Sequence, residues 1–159
     1  MACVGSQRSL PVTTRCCISL PLDLLLIITL TLTAFRNVIR ETYGDDFFLT
    51  SYTGENVLAY PLPEWGRVEE RLLAIPSMNP SRQKLLSRVN YFGALASMDR
   101  QGRILVPQLL RDTTAVDGEV VVMGQLTHLE IWNHDAFRRR LDDSPLTPDD
   151  LQILADMGV

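Results

Sequence analysis

The sequence predicts an α+β fold built from two similar units joined by a helix. Three observations predict it. Hydrophobic periodicity switches repeatedly between two and about 3.6 residues along the 159-residue chain, so short strands alternate with helices. Asn79, Asn133 and Thr147 stand where helix N-caps belong, the first and third followed directly by proline. The order short helix, hairpin, helix occurs once in each half. Charged residues make up 21% and apolar residues 46%, which fits a globular chain and argues against disorder. The length suits one domain, or two small repeats that share a core.

Residues 1–32 differ in composition from the rest. Arg8 and Arg15 precede an apolar run from Leu20 to Ile28, and Thr29, Thr31 and Thr33 then alternate with Leu30 and Leu32. Three readings are open: a strand or unassigned leader, a signal-like segment, and a membrane anchor. Asp23 interrupts the run, no small-residue cleavage site follows, and the run falls short of the ~20 apolar residues a span needs. The alternation favours a strand. Cys3, Cys16 and Cys17 all lie in this stretch. With no later cysteine to pair with and no zinc spacing, they predict neither a disulfide framework nor a metal site.

The body reads in order. From Ala34 to Tyr43, Phe35, Val38 and Ile39 recur at helical spacing, and Gly44 stops the helix. Phe47 to Thr50 is a strand, Thr53 to Asn56 a turn, and Val57 to Tyr60 the returning strand. Pro61-Leu62-Pro63 halts pairing and starts a helix with Trp65, Val68 and Leu72 on one face. Ile75 to Met78 connects to a second helix, capped by Asn79, whose stripe is Leu85, Val89 and Phe92. Arg82, Lys84 and Arg88 form its solvated side. Beyond a loop from Thr113 to Gly118, Glu119 to Gly124 is a strand whose β-branched run predicts burial on both faces. Gln125 to Thr127 turns the chain, and His128 to Trp132 alternates as a half-buried strand. Asn133 caps a helix carrying Phe137 and Leu141, with Arg138-Arg139-Arg140 facing solvent. Thr147 and Asp150 form a capping box for a last helix, with Leu151, Leu154 and Ala155 as its apolar stripe.

The halves align. Ala34-Phe35-Arg36 matches Leu109-Leu110-Arg111, Phe47-Phe48-Leu49 matches Val120-Val121-Val122, and Val57 to Tyr60 matches Leu129 to Trp132. Five residues beyond Tyr60 and Trp132 stand two more aromatics, Trp65 and Phe137. Two such units packed about a pseudo-twofold axis bury strands that neither buries alone.

The second half opens on Asp99-Arg100-Gln101-Gly102-Arg103, a charged tight loop leading into Ile104 to Val106. Gly102 permits the sharp reversal. Asp99 and Arg103 sit four apart across it, so an ion pair braces the loop and leaves Arg100, with Arg103 itself, facing outward. A braced basic loop suits a phosphate backbone or a base edge. By itself it also reads as a plain surface turn. The net charge of −4 does not favour nucleic acid, but a basic face can sit on an acidic body. An enzyme is not predicted. His128 falls on a strand, His134 and the pair Asp149-Asp150 fall at helix starts, and no nucleophile–base pair, metal spacing or glycine-rich phosphate loop occurs. No cofactor or small-molecule substrate is implied.

Four segments carry a family resemblance: Tyr60-Pro61-Leu62-Pro63-Glu64-Trp65; Ser77-Met78-Asn79-Pro80; Asp99 to Arg103 with Ile104-Leu105-Val106-Pro107; and Gly124 to Trp132. In order and spacing they resemble the MraZ family of bacterial transcriptional regulators, built from two SpoVT-AbrB-type repeats. The resemblance covers about Thr33 to the C-terminus. It implies a swapped-hairpin β-barrel with flanking helices and a ring-like homo-oligomer in the cytoplasm, associated with the nucleoid. It also implies binding of double-stranded DNA at promoter direct repeats of the cell-division and cell-wall gene cluster, as a repressor. The family's Asp-x-x-x-Arg loop contacts DNA and maps onto Asp99 and Arg103, with Gly102 in the turn and Arg100 as a second contact. The implied division is a leader (1–32), a degenerate first repeat (33–75), a connecting helix (76–93), the second repeat (94–137) and a helical tail (138–159).

The chain departs from that pattern at its start. Family members carry the loop in both repeats, and Leu20 to Ile28 has neither glycine nor arginine. A break followed by clean resumption is what a frameshift or misplaced start codon leaves, so residues 1–32 are expected to be foreign to the family. Two alternatives follow: a chain that assembles but binds DNA poorly, and an exported or membrane-attached protein directed by residues 1–33.

Overall fold

The computed structural model describes residues 16–19, 28–29 and 33–158. The strands are β1 (Cys16–Ser19), β2 (Ile28–Thr29), β3 (Asp46–Thr50), β4 (Asn56–Pro61), β5 (Ala94–Ser97), β6 (Arg103–Ile104), β7 (Glu119–Gln125) and β8 (His128–Asn133). The helices are α1 (Thr33–Tyr43), α2 (Leu62–Leu73), α3 (Pro80–Phe92), α4 (Gln108–Thr114), α5 (His134–Asp143) and α6 (Pro148–Asp156). A six-stranded antiparallel sheet runs β1-β7-β8-β4-β3-β5, and β2 pairs with β6 in a second, two-stranded sheet.

The strand order reads the same from either end once each strand is exchanged for its counterpart in the other half. The register obeys the same exchange. Phe48 lies opposite Tyr60 in the first hairpin and Val121 opposite Trp132 in the second. At the two outer edges, Ser97 faces Asp46 and Ser19 faces Glu119. In the small sheet, Ile28 pairs with Ile104 and Thr29 with Arg103, which makes Ile28 the positional counterpart of Arg103. The aromatic pairs recur too. Tyr60 and Trp65 meet edge-on at 5.5 Å and Trp132 meets Phe137 at 5.6 Å.

Burial explains the strand sequences. Every residue of β4 is buried, because both faces of the sheet are covered there. Val57 and Ala59 point into the main core with Phe47, Leu49, Val120, Val122, Leu129 and Ile131. Leu58 and Tyr60 point the other way, onto Trp65 of α2 and Val89 of α3. His128 stacks on Tyr60 across the β4–β8 ladder at 4.4 Å, the structural position its strand placement predicts. Asn79 Oδ1 accepts from the backbone N–H groups of Ser81 and Arg82, Asn133 Oδ1 accepts from Ala136 N–H, and Thr147 forms its capping box with Asp150.

Pairing does halt within Pro61-Leu62-Pro63: Pro61 is the last residue of β4, opposite Phe47, and α2 starts at Leu62. Several expectations are corrected. Thr113 and Thr114 belong to α4, not to a loop, and each hydroxyl donates to the carbonyl four residues back. Thr33 opens α1 instead of closing a strand, and the alternating stretch is a strand at Ile28–Thr29; residues 30–32 lie outside the described residues, as do Cys3 and the run from Leu20 to Ile27. Leu141, Leu151 and Leu154 are exposed, because among the described residues no element covers those faces of α5 and α6. Arg138, Arg139 and Arg140 are exposed as expected, with Arg140 over the Trp132 ring at 5.1 Å. Among the described residues no helix is long and apolar enough to cross a membrane.

Two substitutions test the packing. Leu129 is fully buried, so Leu129→Ala is expected to cost about 2–5 kcal/mol in denaturant unfolding. Gly93 joins α3 to β5, where an added Cβ would stand 2.5 Å from the Val89 carbonyl oxygen and 2.6 Å from the Phe48 ring. Gly93→Ala must therefore displace backbone, and a fall in unfolding midpoint comparable to a core truncation is expected.

Candidate nucleic-acid interface

The Asp99–Arg103 loop joins β5 to β6, and its shape is held by Asp99. Gly102 N–H donates to the Asp99 carbonyl (3.0 Å), and Asp99 N–H donates to the Arg103 carbonyl (2.9 Å). The carboxylate fills the turn. Its Oδ1 accepts from the backbone N–H of Gln101 (2.8 Å) and of Arg103 (2.9 Å), and Oδ2 accepts from Arg103 Nε (2.6 Å). Gly102 is buried beneath with φ +81, a conformation that residues with a Cβ resist. The predicted brace between Asp99 and Arg103 is thus present, with side chains 37% and 30% exposed.

The four predicted residues come together but do not play equal parts. Asp99 and Gly102 build the turn. Arg103 is half-buried, and its ion pair runs through Nε and not through the Nη fork. Arg100 and Gln101 are exposed at the tip. Of the flanking run, Ile104 and Val106 are buried and Leu105 faces out. The backbone N–H of Arg103, aided by the Arg103 guanidinium and the Gln101 N–H, holds the Asp99 carboxyl below its ordinary 3.8 against a smaller opposing effect of desolvation.

Residues missed in the sequence fix the base of the loop from the other half of the chain. Arg40, in the last turn of α1, donates through Nε to Asp45 Oδ1 (2.6 Å) and through Nη2 to the Asp99 carbonyl (3.2 Å). Met98 N–H donates to the Asp45 carbonyl (2.8 Å), and Ser97 Oγ lies 2.6 Å from Asp46 Oδ1. No local pattern announces these contacts: Arg40 and Asp99 are 59 positions apart. The one hint was an arginine followed closely by two aspartates at a helix end. Among the described residues no group of three or more His, Cys, Asp or Glu side chains is placed to hold a metal ion.

Fold and loop together define an α+β protein with a six-stranded antiparallel sheet that presents a carboxylate-braced arginine loop. The family described as "MraZ protein, putative antitoxin-like" matches residues 94–147, the segment that opens with β5 and this loop. A transcriptional regulator MraZ from Acidobacterium capsulatum is 47% identical over 125 residues, covering 79% of this chain and 86% of the relative. Its namesake from Koribacter versatilis is 40% identical over 126 residues, with the same two coverages. That from Caldicellulosiruptor saccharolyticus is 33% identical over 122 residues, 76% of this chain and 85% of the relative. The chain belongs to the MraZ family.

The lowered carboxyl sets a pH window for the loop. A depressed pKa means that ionised Asp99 stabilises the folded turn above the ordinary value of 3.8, and that this contribution is lost as pH falls through the lower, folded value. An NMR titration of the Asp99 carboxyl is expected to give a midpoint below 3.8, with the Gln101 and Arg103 amide shifts moving at the same midpoint.

Proposed function

We propose that this chain is a sequence-specific DNA-binding transcriptional regulator. The carrying observation is the Asp99-braced loop, with Arg100 exposed at its tip and the Nη fork of Arg103 left out of the brace. Such a loop offers planar, rigidly mounted donors to phosphate oxygens or to a guanine edge. The printed names of the relatives, transcriptional regulators, support the reading. On it, the protein acts in the cytoplasm at the nucleoid and represses a promoter of the cell-division and cell-wall gene cluster by binding direct repeats.

One small loop per protomer is a weak contact. A ring of protomers matched to the spacing of DNA repeats turns weak contacts into strong binding. The exposed Leu141, Leu151, Ile153 and Leu154 on the C-terminal helices, with Leu146 between them and Met157 after them, support assembly, since a second copy would cover them.

The architecture proposed is two SpoVT-AbrB-type repeats with exchanged hairpins. The pairing of β1 with β7, and of β5 with β3, supports it, because each half lends an edge strand to the other. The repeats are 33–75 and 94–137, with 76–93 between them and 138–159 after them. The places of β1 and β2 support drawing the first repeat back to Cys16. The position of Ile28 supports a second reading. It stands where Arg103 stands in the other half, so the chain would assemble yet bind DNA through half the family's surface.

The test uses the full chain and a duplex that it enriches from a random-sequence pool. Arg103→Ala is expected to lower affinity more than tenfold, since it removes brace and contact together, and Arg100→Ala about tenfold, ~1.4 kcal/mol. Each should lower the slope of log affinity against log salt by about one. Elution in size-exclusion chromatography should not change. Unaltered gel shifts by both variants would count against the reading, and an oligomer that enriches no duplex would favour the second one.

A further inference from the structure

Arg40 lies outside the loop and in the other half of the chain, yet it bonds the carbonyl on which the turn closes. The Asp99 carbonyl takes two donors, Gly102 N–H from within the turn and Nη2 of Arg40 from outside it. Arg40 is itself aimed by Asp45, whose carboxylate holds Nε at 2.6 Å and whose backbone carbonyl holds Met98 N–H. One planar guanidinium therefore spans the α1–β3 corner and the loop. That suits arginine and not lysine, because the fork fixes two acceptors in one geometry.

The corresponding corner of the second half differs at the position of Asp45. By the register of the outer strands Asp46 corresponds to Glu119, so Asp45 corresponds to Gly118, which has no carboxylate. The carboxylate that holds Arg40 thus has no counterpart at the position its register assigns in the second half.

We propose that Arg40 is a positioning residue for the Asp99–Arg103 loop: held by Asp45, it fixes the Asp99 carbonyl and so sets the angle at which Arg100 and Arg103 meet DNA. The inference rests on the loop being the DNA contact. Presentation of the loop is then a property of both halves, and a change in the first half alters binding by the second.

The full chain tests this with two readouts. The first needs no DNA: in Arg40→Ala, amide exchange at Gln101, Gly102 and Arg103 is expected to rise about tenfold, the loss of one charge-assisted hydrogen bond. The second is affinity for the enriched duplex, expected to fall about tenfold with an unchanged salt slope. Arg40→Lys should behave like Arg40→Ala. Asp45→Asn, which loosens Arg40 without removing it, should shift both readouts the same way by less, and it serves if Arg40→Ala fails to fold. Unchanged exchange would overturn the proposal, as would full rescue by lysine. A salt slope reduced by about one would also overturn it, by making Arg40 a phosphate contact. If Arg100→Ala and Arg103→Ala bind normally, the loop is not the DNA contact and the presentation role falls with it. If they fail to bind while the Arg40 variants behave like the unsubstituted chain, only the present inference falls.

Discussion

The antiparallel ladder between β4 and β8 is the constraint on which the rest of the structure depends. It joins the two halves at the centre of the six-stranded sheet, and it is self-complementary. Asn56 faces Trp132 at one end, Leu58 faces Glu130 in the middle, and Tyr60 reaches the His128 ring at the other. That register is tightly specified, since a one-residue slip would turn Val57 and Ala59 out of the core. The main core draws on both halves, with Phe47, Leu49, Val57 and Ala59 from the first and Val120, Val122, Leu129 and Ile131 from the second. The charged Glu130 at the seam is tolerated because Trp132 Nε1 donates to it at 2.7 Å. His128, beside it at 3.7 Å, and that indole keep its carboxyl below the ordinary range despite partial burial.

That dependence explains what was legible. Strands buried on one or both faces announce themselves by composition, and β3, β4, β7 and β8 were all visible as apolar or alternating runs. The equivalence of Phe47-Phe48-Leu49 with Val120-Val121-Val122 is the equivalence the hairpin registers display. Helix starts were legible at Asn79, Asn133 and Thr147 because capping is local chemistry. The edge strands were not. β5 has a mixed burial pattern, and its place is decided by pairing with a strand about fifty residues away, a contact that no local window contains. The same blindness hid Arg40 and Asp45 while leaving the brace between Asp99 and Arg103 readable, because four residues across a glycine turn is a local spacing.

The apolar stripes of α5 and α6 failed differently. Their periodicity was read correctly, but amphipathicity says only that a face must be covered, not that this chain covers it. Within the chain α5 packs through Phe137 on Trp132, and the outer leucines of both helices remain exposed. Sequence pattern alone does not distinguish a face buried within a fold from one buried between copies.

Pairing constrains strands far more tightly than loops, and this bears on the asymmetry at the candidate interface. The core needs an edge strand at each end of the sheet and a short pair, β2 with β6, in the second sheet; it does not need any particular loop between them. In the second half the link from β5 to β6 is five residues closed by Asp99 and Gly102. In the first half, the link between β1 and β2 is eight residues with no arginine, and Ile28 occupies the place of Arg103. The pairing of β2 with β6 runs through backbone groups, which isoleucine and arginine both supply. The strand pairing that builds the sheet and the chemistry of the Asp99–Arg103 loop are therefore separate features of this chain: the ladders run through backbone groups, and the loop is closed by the Asp99 carboxylate and Gly102.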